Sequence, residues 1–261
     1  MPITFHKRPG LVAYITCGDP DVQTTISIIL AAIEAGTDVI ELGVPFSDPV
    51  ADGPVIQAAS ERALRAGTSV KDVLAIAREV RRRSDAGMIV FSYANPIWSY
   101  GLEKFCADAA AAGVDGALIT DVPVEESAAY VAAMARHNLD PIFLAAPTSP
   151  DARLKQIAQH SRGFIYAVSR TGVTGTRQEI AADARELVGR LRKHTKLPIA
   201  VGFGVSNAEQ FAEVGRFADA AVVGSAIMQR VFDHPGSEAE AVKAFVRGLT
   251  SAMKPAAARR G

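Results

Sequence analysis

Glu41 stands inside an apolar run, VIELG, between Ile40 and Leu42. A strand places alternate side chains on opposite faces, so Glu41 shares a face with Val39 while Ile40 and Leu42 take the other. A carboxylate in such surroundings loses hydration, which penalises its charged form and raises its pKa. A group that holds a proton near neutral pH and can release it suits general acid–base work. The competing reading is a buried ion pair with a neighbouring strand. The segment that follows, VPFSDPVADGP, sets Pro45, Pro49 and Pro54 around Asp48 and Asp52. Proline fixes φ, so this loop is stiff for its length and can hold a carboxylate in place. Asp52 precedes Gly53, a pairing that also suits a plain turn, and Asp48 suits a turn or helix cap.

Two later segments, AVGFGVSNAEQ (200–210) and VVGSAIMQR (222–230), read as strand, glycine turn, helix start. Amides at a helix start bind anions, and Gly202, Gly204 and Gly224 would let a ligand approach the main chain closely. Ser225 adds a hydroxyl. Neither turn carries Arg or Lys, so a phosphate there would be held mostly by dipoles. The loop SRTGVTGTRQE (169–179) has the glycine and threonine content of a closing lid, or of an ordinary surface loop. Arg170 and Arg177 within it read as solvated.

These residues need a frame. An Ala-rich helical stretch, a Gly, usually an Asp and a short apolar run recur at 31–42, 109–120 and 212–223. The pattern reads as helix, C-terminal glycine, turn, buried strand. Further strands are expected at 11–16, 88–93, 141–146, 163–168 and 198–203. Helices are expected near 21–35, 55–66, 69–84, 101–112, 125–137, 150–159, 179–194, 206–215 and 237–252. Eight alternating β and α units in about 250 residues point to a single (β/α)8 TIM barrel domain over 1–261, with extra short helices. The rival is a doubly wound open sheet, which would need edge strands, and no G-x-G-x-x-G follows the first strand.

In a barrel the active site lies where loops leave the C-terminal ends of strands. Chain order then sorts the candidates. His6 precedes strand one, His137, His160 and His194 end helices, and His234 lies beyond the last strand. The lysines, from Lys7 to Lys254, fall in helices, in the opposite loops or at the termini. Cys17 does top strand one, but it has no histidine beside it and reads as packing. Carboxylates, small polar residues and glycines remain. That leaves proton transfer without metal, thiol or imine, and no cofactor is expected.

Composition narrows the class further. Lys and Arg number 28 against 28 Asp and Glu, which argues against an extended nucleic-acid surface. No apolar stretch approaches the ~20 residues that span a bilayer, and the N-terminus lacks an apolar signal core. Two distant cysteines, Cys17 and Cys106, do not form a secreted framework, so a cytoplasmic protein is expected.

The segments ITCGDPD (15–21), ELGVPFSDPVADGP (41–54), SYANP (92–96), TDVPVEES (120–127), SRTGVTG (169–175), VGFGVS (201–206) and VGSAI (223–227) together resemble the tryptophan synthase alpha chain family. They run in the family's order across nearly the whole chain. The resemblance implies a lyase of tryptophan biosynthesis that cleaves indole-3-glycerol phosphate to indole and glyceraldehyde 3-phosphate. It implies Glu41 as the acid/base and Asp52 as the contact to the indole nitrogen. It implies Tyr14, Phe91, Leu118, Leu144 and Tyr166 around the indole, with Thr174 in the lid. Gly175, Phe203, Gly204, Gly224 and Ser225 match its phosphate-binding positions. Asp48 and Asn95 match positions facing a beta chain, which holds pyridoxal phosphate and joins the alpha chain in an α2β2 heterotetramer. The family often carries a longer N-terminal helix under the barrel; about ten residues precede strand one here, which puts the closure of the barrel floor in question. A different sugar-phosphate barrel enzyme, a non-catalytic activator subunit and a lyase acting without a beta chain are the other readings.

Overall fold

The computed structural model describes residues 3–168, 177–202, 204–251 and 254–255. Its parallel strands are β1 (Gly10–Thr16), β2 (Val39–Gly43), β3 (Gly87–Ser92), β4 (Gly116–Ile119), β5 in two pieces (Asp140–Ile142 and Leu144–Ala145), β6 (Ile165–Val168), β7 (Ile199–Gly202) and β8 (Ala220–Val223). Hydrogen bonding runs from the first piece of β5 through β4, β3, β2, β1, β8, β7 and β6 to the second piece of β5. Both ends of the sheet are therefore halves of one strand. Asp140–Ile142 pairs with β4 and Leu144–Ala145 with β6, and the sheet closes on itself. The open-sheet alternative fails on this observation.

The helices are α1 (Val22–Glu34), α2 (Pro54–Arg65), α3 (Val70–Arg81), α4 (Ala94–Tyr100), α5 (Leu102–Ala111), α6 (Ala128–Arg136), α7 (Asp151–His160), α8 (Arg177–Leu191), α9 (Ala208–Val214), α10 (Ser225–Asp233) and α11 (Glu238–Thr250). They match the expected ranges, with two additions. α4 is an unforeseen short helix, and α10 continues the helix start read at 222–230. Thr250 at the end of α11 donates to the carbonyl of Ala35 just past α1 (2.8 Å), which ties the last helix to the first. Among the described residues no helix is long and apolar enough to cross a membrane.

Strand alternation produces two concentric cores. Ile40, Leu42, Val90 and Val201 face the helices. Val12, Val39, Ile89, Leu118, Ile142 and Val222 fill the barrel interior. The floor is closed by the N-terminal segment without a helix. Ile3 is buried in the inner cluster, and Phe5 meets Phe164 edge-on with centroids 6.0 Å apart.

The recurring Asp of the sequence pattern has a mechanical role at this floor. Asp38, just before β2, accepts the amide of Leu11 in β1 (2.9 Å). Asp115, before β4, accepts the amide of Met88 in β3 (2.8 Å) and a hydrogen bond from Arg81 (2.8 Å). Asp219, before β8, accepts the amide of Ile199 in β7 (2.8 Å) and pairs with Arg192. Each carboxylate satisfies an amide near the start of the preceding strand, where an unmet donor would be costly.

Candidate active site

Glu41 projects from β2 into the barrel, in register with Tyr14 of β1 and Ile89 of β3. It is fully buried, and among the described residues neither carboxylate oxygen has a hydrogen-bond partner. The ion-pair reading of this residue therefore fails. Burial pushes its pKa up to about 8. An ionised carboxylate in this position would cost several kcal/mol, and holding a proton avoids that cost.

Aromatic rings form the space around it. Tyr14 meets Phe91 of β3 edge-on at 5.3 Å, and Phe91 lies 6.5 Å from Tyr166 of β6. Leu118 sits in register with Phe91, and Leu144 with Tyr166. The five residues expected around an indole are thus inward-facing neighbours. Two glycines make room for the phenols. A Cβ on Gly43 would fall 2.4 Å from Tyr14 Oη, and one on Gly202 would fall 2.7 Å from Tyr166 Oη. Gly202, expected to let an anion near the main chain, also makes room for Tyr166.

Asp52 lies half-buried in the loop between β2 and α2. Its amide donates to the Pro49 carbonyl (3.0 Å) and its own carbonyl accepts from Gln57 Nε2 (2.9 Å), so Asp52 ends a turn that begins at Pro49, while Gly53 is extended and caps α2. Its carboxylate Oδ2 accepts from the Tyr93 hydroxyl (3.1 Å). Burial raises its pKa, and the bond from Tyr93 works the other way. Tyr14 is raised well above the ordinary phenol value, by burial first and then by the charges of Asp52 and Glu41. Tyr166 is raised by burial, then by Glu41 and Asp52. Both phenols thus lie within electrostatic reach of both acids.

Gly204, just past β7, has φ +78°, and among the described residues nothing lies within 4 Å of where its Cβ would be. Gly224 caps α10, whose first residue is the exposed Ser225. A Cβ on Gly224 would meet Tyr14 Cβ at 3.2 Å, so this glycine also lets the helix start lie close to β1. First-turn amides of a helix have no intrahelical acceptor and point at whatever lies beyond the N-terminus. Thr174, Gly175, Phe203 and most of the expected lid lie outside the described residues.

Asp48 and Asn95 are exposed. Asp48 accepts from Ser47 Oγ (2.6 Å) and caps no helix; Gly53 caps α2. Close in sequence to them are two exposed apolar residues, Val50 (88% exposed) and Trp98 (46%). Cys17 is fully buried and its thiol is pushed far up by desolvation, as packing requires. Sequence reasoning passed over Tyr93. Its position at the end of β3, in SYANP, was the available signal.

A closed (β/α)8 barrel with a buried glutamate that has no partner among the described residues, a second acid on the loop that follows its strand and a glycine-capped helix start after β8 fits an acid–base enzyme for a substrate with an anionic tail. The chain belongs to the tryptophan synthase alpha chain family, whose model matches residues 3–257. It is 49% identical to the tryptophan synthase alpha chain of Solibacter usitatus, over 95% of this chain and 92% of that one. It is 47% identical to that of Geobacter sulfurreducens, over 95% and 94%. Among solved structures it is similar to tryptophan synthase of Mycobacterium tuberculosis (TM-score 0.87, 38% identity, 94% and 92% covered). It is also similar to the alpha subunit from Legionella pneumophila (TM-score 0.86, 34% identity, 94% and 92% covered).

Proposed function

We propose that Glu41 and Asp52 carry the reaction of this family, the cleavage of indole-3-glycerol phosphate to indole and glyceraldehyde 3-phosphate. The reaction is a retro-aldol step. Protonation of indole C3 lets the ring accept the electron pair of the breaking carbon–carbon bond. Glu41 delivers that proton and takes the one leaving the side-chain hydroxyl, so it ends in its starting state. The ring nitrogen becomes positive, and the Asp52 carboxylate stabilises it. Tyr14, Phe91, Leu118, Leu144 and Tyr166 hold the indole. Gly204, Gly224 and Ser225, with Gly175 and Phe203, hold the phosphate, whose binding energy serves orientation. Thr174 belongs to the lid that closes over the site. The observation that carries the reading is Glu41: a buried carboxyl group with no partner among the described residues, beside the Tyr14 and Phe91 rings.

The family has a beta chain as partner. We assign the contact to the face around Asp48 and Asn95 in a cytoplasmic α2β2 assembly, to which the indole passes. The exposure of Val50 and Trp98 beside those residues supports this, since apolar surface of that kind favours burial in an interface. The test is indole release from indole-3-glycerol phosphate by the purified chain, alone and with beta chain. Release that rises on adding beta chain is expected. No release in either case would remove the reading.

A further inference from the structure

Tyr93 follows β3 directly and is almost wholly buried (3% exposed). Its oxygen accepts the amide of Ala51 (3.0 Å), and its hydroxyl donates to Asp52 Oδ2 (3.1 Å). The amide proton occupies the acceptor side of the phenol, so the phenol's own proton is directed at the carboxylate. One hydroxyl thereby holds the main chain and the side chain of successive residues. The ring is fixed too. Phe46, from the start of the same loop, packs on it with centroids 5.1 Å apart. The main chain beneath is anchored by Ser92 Oγ donating to the Tyr93 carbonyl (2.9 Å) and by the Ala94 amide donating to Asp121 (2.7 Å).

We propose that Tyr93 is the positioning residue for Asp52, acting through its hydroxyl and not only through its ring. This rests on the assignment of Asp52 to the indole nitrogen. Tyr93 engages Oδ2 and leaves the second oxygen, Oδ1, for the indole nitrogen in this proposal. A carboxylate that stabilises a charge formed only during bond breaking must already be in place, because displacement by an ångström weakens it sharply. Elsewhere the loop is held by the Val44 amide on the Phe91 carbonyl at its start, by local turns from Val50 to Asp48 and from Asp52 to Pro49, and by Gln57 of α2 on the Asp52 carbonyl, none of which touches the Asp52 carboxylate. Tyr93 ties that loop to the barrel wall.

Tyr93→Phe keeps the ring and its packing on Phe46 and deletes the hydroxyl. The expected result is a kcat for indole release lower by about tenfold with KM within about twofold. The acid limb of the kcat profile should move to higher pH, because the donated hydrogen bond favours the ionised carboxylate. Among the described residues the other titratable groups near Asp52 are Glu41 from β2, Tyr14 from β1 and Tyr166 from β6, with Asp121 beyond Tyr93, and the variant retains all of them. In an Asp52→Asn background the same substitution should cost nothing further, since residues acting as a unit are not additive. Wild-type kcat with an unmoved acid limb would overturn the proposal. So would a tenfold loss that persists on top of Asp52→Asn. Normal turnover by Asp52→Asn alone would instead overturn the role of Asp52 itself, and the two failures are told apart by that single variant.

Discussion

At the floor of the barrel, Asp38, Asp115 and Asp219 each accept a strand amide, and the latter two also grip an arginine. At the mouth, Glu41 is at least as deeply buried and, among the described residues, has no partner for either oxygen. The residue chemistry is nearly the same at the two ends, and the difference lies in what surrounds each acid. Acids that serve the fold are matched to donors. An acid that must gain and lose a proton is left without them, and desolvation alone sets its pKa. The molecule thus carries its strain at the end where the loops vary and its security at the other.

Substitution at the mouth tests this contrast most severely. Glu41→Gln should lower indole release by about 10³-fold while phosphate-ligand affinity stays within about tenfold, measured by turnover and equilibrium binding. The same variant should gain stability at neutral to alkaline pH. The unfolded chain ionises Glu41 at the ordinary value of 4.5 and the folded chain at about 8. The folded state therefore binds the extra proton between those values. Its stability falls by about 1.4 kcal/mol per unit as pH rises through that window, and Gln removes the slope. Denaturant melts across the pH range would read it. Asp52→Asn should reduce kcat by about 10²-fold, because a charge aimed at the developing cation is lost.

At the floor the expectation reverses. Asp115→Ala should cost about 3 kcal/mol in chemical denaturation, with turnover per folded molecule unchanged, because it orphans the Met88 amide and takes from Arg81 the carboxylate that balances its charge, leaving it only carbonyl acceptors. A loss of turnover without loss of stability would break the contrast. The smallest effect belongs to Ser225→Ala, which should raise KM by about fivefold with kcat preserved, the size of one hydroxyl donor to a phosphate.

Much of this architecture was readable before any coordinates. The run VIELG announced both a strand and a buried acid, since alternation sends Glu41 and Ile40 to opposite cores. The pattern of a Gly, then an Asp before an apolar run, marked strand starts, although the carboxylates' bonds to the preceding strands are visible only in three dimensions. α4 escaped notice because it has seven residues, contains Pro96 and precedes Gly101, too little length for a helical period to register. The break of β5 at Phe143 reflects closure of the sheet, a property of the whole ring and not of that segment. Tyr93 was missed for a similar reason: its partners Ala51 and Asp52 lie on another loop. The lid residue Thr174 and phosphate residues Gly175 and Phe203 rest on the sequence resemblance.

The most direct measurement is a carbon-13 NMR titration of the Glu41 carboxyl group in the folded protein, assigned by difference from Glu41→Gln. The account predicts a midpoint near pH 8, with the group still protonated at pH 6. A carboxylate already ionised at pH 6 would contradict it.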